Sequence, residues 1–140
     1  MTPADRVRRV IAACFPAGAL GHFWWVGKHG LMYFGPAPSW AVWFWYFLCA
    51  VDFAVCALLL LRPRIGLIAG LATMAFTLWV NWTCFPTFEL GFNYVLMILT
   101  AFGVAFAAVT PWLWQATPRR RCVGRRRRDG PVRSSGVRGL

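Results

Sequence analysis

The sequence predicts an all-α protein: an integral membrane four-helix bundle followed by a disordered basic tail. Three observations predict it. The 140 residues are 59% hydrophobic and only 14% charged, against about 25% charged in ordinary soluble domains. The apolar residues fall in four long blocks, each near or beyond the ~18–20 residues that span a hydrocarbon core. The basic residues are gathered, nine of the fifteen Lys and Arg following Trp114. A soluble domain of this size has too little polar surface to cover so much apolar area.

The elements follow in order. Residues 1–9 form a cytoplasmic N-terminus carrying Arg6, Arg8 and Arg9. The first span, 10–26, has the basic start of a signal peptide, but aromatic FWWVGKHG follows it instead of a small-residue cleavage site. Pro16 removes one backbone donor and is expected to bend this helix. Residues 27–38, GKHGLMYFGPAP, carry Gly and Pro punctuation and read as an interfacial connection. The second span, 39–61, opens on Trp40, Trp43, Trp45 and Tyr46, which read as an aromatic belt at headgroup level. Arg62, Pro63 and Arg64 make a very short basic turn. The third span is 65–85, and Pro86 with TFELGF connects it to the fourth, 93–114, which ends on Pro111, Trp112 and Trp114. Residues 115–140 are the basic cytoplasmic tail.

Orientation follows from the basic residues. With the N-terminus inside, fourteen lie on the cytoplasmic side and only Lys28 lies outside. That is a strong positive-inside bias. Both termini are then cytoplasmic in a multi-pass protein of the cell (inner) membrane. Lipid gives helices no hydrophobic reason to associate, so small residues must let backbones approach. Gly66 and Gly70 form a GxxxG pair, and Ala13, Ala17 and Gly21 repeat that spacing in the first span. Ala69, Thr73 and Thr77 do so in the third span, and Gly103 and Ala107 in the fourth.

The net charge of +11 does not make the chain a nucleic-acid binder. An Arg-rich tail beside a membrane is a topology signal and a contact for anionic lipid headgroups. The expected partners are the bilayer, those headgroups through the tail, and either a membrane complex or further copies of the chain.

Asp52 is the residue that most needs a reason. It lies ten residues from Arg62, about 15 Å along a helix and near mid-bilayer. A charged Asp there costs about 2.5–3.5 kcal/mol. One reading makes it a protonated or hydrogen-bonded packing residue; the other makes it a ligand or proton site. Thr73, Thr77 and Thr100 lie at similar depth and are weighed as its partners, against the ordinary alternative of bonding their own helix. His22 and Asn81 lie nearer the outside. With Asp52 and Thr77 they form the candidate ligand-binding set, in a funnel walled by aromatics such as Trp24, Trp45 and Trp79. Lys28, His29, Glu89 and Asn93 lie beside the outer connections, where interface chemistry explains them as well.

Catalysis has no such candidate. Cys14, Cys49, Cys56, Cys84 and Cys122 form no C-x-x-C pair, and two His without Cys or acid at ligand spacing make no metal or haem site. No phosphate loop and no Ser-His-Asp set is present, no cofactor motif is evident, and the catalytic residues are unassigned.

The stretch DFAVCALLLLRPRIGLIAGLATM, residues 52–74, resembles the centre of the DoxX-like family of small four-span bacterial membrane proteins. That family carries an acidic residue in the second span, then an apolar run, a short basic turn and a Gly/Ala-rich third span. Gly18 to His22-Phe23 is similar to the family's first-span ending, and the resemblance covers residues 7–114. Asp52 stands where Glu is usual, and Ala54 and Cys56 stand where a small residue, often Gly, is common. The resemblance implies the four-helix fold and a role in redox housekeeping, where one member is a quinone-linked thiosulfate-oxidising subunit. The leading expectation is a non-catalytic accessory or subunit of a membrane redox or envelope complex. The alternative is a binder of a small amphipathic ligand (a quinone or lipid), or a proton relay, in an outward-opening pocket around Asp52.

Overall fold

The computed structural model describes residues 1–30, 37–84 and 93–117. The two outer connections, with Glu89, and the tail, with Cys122, lie outside them, as do the side chains of His29 and Asn93. Among the described residues the fold is all α. Helices α1 (Pro3–His29), α2 (Ser39–Leu61), α3 (Pro63–Cys84) and α4 (Asn93–Ala116) follow one another around a ring. Each is long and apolar enough to cross a membrane, so the chain is a multi-pass membrane protein. Neighbours in sequence pack side by side, α4 closes back on α1 through the thinnest of the four interfaces, and across the ring Phe15 of α1 reaches Gly70 of α3.

Helix α1 begins at Pro3, inside the segment read from sequence as a flank. The cause is a capping box. Thr2 Oγ1 accepts from the Asp5 backbone N–H at 3.1 Å, and the Asp5 carboxylate accepts from the Thr2 N–H at 3.3 Å. Pro3 fills the first helical position, where a missing N–H costs nothing. The helix runs on through Pro16 to His29. Helix α2 keeps the bounds expected of it. One residue, Arg62, separates α2 from α3, and Pro63 starts the new helix. So short a reversal presses the first turn of α3 onto the last turn of α2. Gly66 makes room: a Cβ there would collide with the backbone of Leu58 and Leu59.

The interior of each helix is a stripe stepping by threes and fours. In α2 it runs Ala41, Trp45, Leu48, Asp52, Val55, Leu59. In α4 it runs Leu96, half-buried Leu99, Gly103, Phe106, Thr110, Leu113. This spacing keeps one face of a helix turned toward its neighbours. It corrects two expectations. Trp45 is no part of an interfacial belt but lies inside the bundle, only 2% exposed. In α1 the small residues that let helices approach are Ala12 and Ala19, whereas Ala13 and Ala17 face outward. Gly66, Gly70 and Gly103 are buried as expected, and Ala107 is exposed.

The centre of the bundle in the half nearest the arginines is filled by apolar side chains. Ile11, Phe15, Val55, Leu59, Leu67, Phe106 and Leu113 form its core. Phe15 meets Phe102 and Phe106 edge-on, each at 6.0 Å between ring centroids, and Phe106 also lies over Gly70. At the same end Arg64 joins α3 to α4. Its Nη2 donates to the Thr117 carbonyl at 2.8 Å, and its guanidinium lies 5.2 Å from the Trp114 ring centroid.

Candidate functional site

Above the phenylalanine layer the packing opens into a cavity of about 290 Å³. All four helices contribute to it. Its α1 wall includes Cys14, Gly18, Gly21 and His22; α2 supplies Trp45, Leu48 and Asp52. Met74, Thr77 and Asn81 of α3 and Val95, Leu99 and Phe102 of α4 complete it. His22, Asp52, Thr77 and Asn81, the four residues singled out from the sequence, therefore line one cavity. Phe15 and Phe102 also line it and belong to the aromatic layer that separates it from the arginine end.

Asp52 is held there by its helix. It occupies the interior stripe of α2 one step from Leu48 and one from Val55, and only 7% of its surface is exposed. No described hydrogen bond or ion pair involves its carboxylate. Gly18 of α1 lies opposite the carboxylate: a Cβ at that position would sit 3.6 Å from Asp52 Oδ2. A side chain larger than Ala at residue 18 would thus grow toward the carboxylate. At Gly21 nothing lies within 4 Å of such a Cβ, so the two glycines keep the α1 side of the cavity open.

Thr77 is the second unusual group. Thr83, Thr100, Thr110 and Thr117 each donate their hydroxyl to the carbonyl four residues earlier, at 2.7 Å, the ordinary habit of Thr in a helix. Thr77 does not. Its hydroxyl is buried, has no partner among the described residues, and belongs to a residue only 5% exposed. Unsatisfied buried polar groups are few in folded proteins, and each asks for a reason. Asn81 is anchored just above, its Nδ2 donating to the Thr77 carbonyl at 2.7 Å. The cavity thus presents a carboxylate, a hydroxyl, an amide and an imidazole on otherwise apolar walls. Such a surface can hold the polar head of a small molecule by hydrogen bonds while its apolar part rests on Trp45, Phe102 and Leu99.

No family model, curated protein or solved structure matches this chain. The chemistry of the site is read from its own residues.

Several residues weighed as neighbours of Asp52 lie elsewhere. Thr100 is engaged twice, donating to the Leu96 carbonyl and accepting from Trp82 Nε1 at 3.3 Å. Thr73 is half-buried outside the cavity. Of the three tryptophans expected as walls, only Trp45 is one. Trp24 is exposed beneath the Lys28 ammonium, 4.8 Å from its ring centroid. Trp79 is exposed and stacks on Trp40 at 6.3 Å. Both point outward because their positions fall off the interior stripe. Sequence reading missed Phe15, Leu48, Met74 and Phe102. Apolar residues in a chain this apolar carry no mark of which face they occupy.

Proposed function

We propose that this multi-pass protein binds the polar head of a small amphipathic ligand, of the quinone or lipid class, in the cavity around Asp52. One observation carries the reading: a carboxylate and a hydroxyl, Asp52 and Thr77, line the same cavity of an apolar bundle, and neither has a hydrogen-bonding partner among the described residues. A packing role would have given them partners. The size agrees, since 290 Å³ is near the lower end of small-molecule pockets, about 300–1,000 Å³. It holds a ring or headgroup, with the remainder of the ligand leaving between α1 and α4, where the ring of helices is thinnest and Cys14, Gly18 and Gly21 are exposed. The charge distribution supports a cytoplasmic location for both termini in the cell membrane. The likeness of residues 52–74 to the DoxX-like family supports a redox setting, and with it the accessory role in a membrane complex as a second reading.

Native mass spectrometry of the protein in mild detergent separates the two. A retained small ligand that disappears in Asp52→Asn is the expected result. Asn keeps the shape of Asp and can hydrogen-bond, but cannot ionise. A protein that carries no ligand in any preparation, and co-purifies with a stoichiometric membrane partner, would replace ligand binding with the accessory role.

A further inference from the structure

A second cavity lies at the opposite end of the bundle. It is a groove of about 650 Å³ between the first turns of α1, the α2–α3 junction and the end of α4. Three arginines line it: Arg8 from α1, Arg62 from the junction and Arg64 from α3. Among the described residues they face a single carboxylate, Asp5, whose Oδ1 pairs with Arg8 Nη2 at 2.8 Å. The groove is therefore strongly positive. Both Arg8 Nε and Arg64 Nε are buried and have no partner among the described residues. A guanidinium presents its N–H groups as a planar fork that suits phosphate and carboxylate oxygens, and buried donors of that kind are rarely left unmatched.

The rim of the groove is apolar. Leu60, Leu61 and Ile65 line it and are exposed, and they lie where the membrane-crossing helix α2 ends and α3 begins. The groove thus offers a positive seat for an anionic head directly beside a greasy surface for a chain. We infer that this groove is a binding site for the phosphate headgroup of an anionic membrane lipid, with its acyl chains lying along Leu60, Leu61 and Ile65. Basic pockets between membrane helices bind such headgroups by the same chemistry. The site does not depend on the Asp52 cavity, which lies beyond the Phe15–Phe102–Phe106 layer. A free phosphate would use the arginines but gain nothing from the three apolar residues, and this singles out the lipid.

The test is native mass spectrometry of the full chain in detergent, with added phosphatidylglycerol, with phosphatidylcholine, and with inorganic phosphate as competitor. Phosphatidylglycerol should be retained and phosphatidylcholine lost. Removing two groove charges in Arg8→Gln/Arg62→Gln should lower apparent phosphatidylglycerol affinity about 25-fold, at about fivefold for each arginine. Removing two tail charges in Arg126→Gln/Arg127→Gln is the control of equal charge and should lower it far less. Asp5→Asn deletes the competing carboxylate and should raise the affinity, a gain that misfolding cannot produce. Equal losses in the two double variants would overturn the site, as would Asp5→Asn with unchanged or weaker binding. Displacement of phosphatidylglycerol by inorganic phosphate would overturn the lipid as occupant.

Discussion

Asp52 and Thr77 are polar groups that the fold encloses without bonding them, and this sets the sign of their substitutions. A buried hydrogen bond, had Asp52 made one, would be lost in Asp52→Leu. Among the described residues there is none, and interhelical hydrogen bonds in membranes average only about 0.6 kcal/mol in any case. Asp52→Leu should therefore leave stability within about 1 kcal/mol of the parent while abolishing ligand retention, as read by thermal unfolding in detergent beside mass spectrometry. Thr77→Val keeps the shape and deletes an unsatisfied hydroxyl. It should be neutral or stabilising by about 1 kcal/mol and should weaken ligand retention. Thr110→Val, which removes a hydroxyl already bonded to the Phe106 carbonyl at 2.7 Å, should leave retention unchanged. A Thr77→Val variant that loses stability and keeps its ligand would return Thr77 to a packing role.

Between helices, glycines decide how closely two elements approach. A Cβ at Gly66 meets the Leu58 and Leu59 backbone, whereas a Cβ at Gly70 meets the far edge of the Phe106 ring at 2.9 Å. A ring can tilt away, but the backbone of a helix held by a one-residue turn cannot. Gly66→Ala should cost about 1–3 kcal/mol, the usual range for overpacking, and Gly70→Ala should cost less, in a denaturant titration of the purified protein. The reverse order would mean that the α2–α3 junction is looser than its single connecting residue implies. At Gly18, a Leu side chain would grow into the cavity toward Asp52 Oδ2, 3.6 Å from the first added carbon. Gly18→Leu should fold and lose the ligand with the carboxylate intact, which mass spectrometry with a thermal-stability control would read.

At the scale of the molecule, the bundle is asymmetric from end to end. The arginine half is filled by Phe15, Phe106, Val55, Leu59 and Leu113, and the other half holds the Asp52 cavity. Arg8, Arg62 and Arg64 gather around one groove although they are up to 56 positions apart in sequence, because α1 starts, α2 turns and α4 finishes at the same end. That end is expected on the cytoplasmic side. A reporter that is active only outside the cell, fused at Leu140, should therefore be silent, and activity from it would invert the orientation. The aromatic layer of Phe15, Phe102 and Phe106 closes the cavity toward that end. The structure thus has the form of a one-ended pocket rather than a path through the membrane.

The sequence by itself determined the environment, the number of helices and the polar residues worth asking about. Block length, charge placement and a lone mid-span carboxylate are one-dimensional properties, so Asp52, His22, Thr77 and Asn81 stood out against apolar surroundings. The extra turns at the start of α1 were also legible in Thr2-Pro3-Ala4-Asp5, a capping box with Pro at the first position. The direction each helix faces was decided by tertiary structure alone. In water an amphipathic stripe marks the interior, but in lipid both faces of α2 are apolar, and Trp43 and Trp45 look alike. Packing exposes one and buries the other. The same uncertainty of rotation separates Ala12 and Ala19 from Ala13 and Ala17, and Trp45 from Trp24 and Trp79. Whether Thr77 would bond its own helix, as Thr100 does, or face the cavity depended on what stood opposite. Only the approach of four helices around Asp52 supplied that.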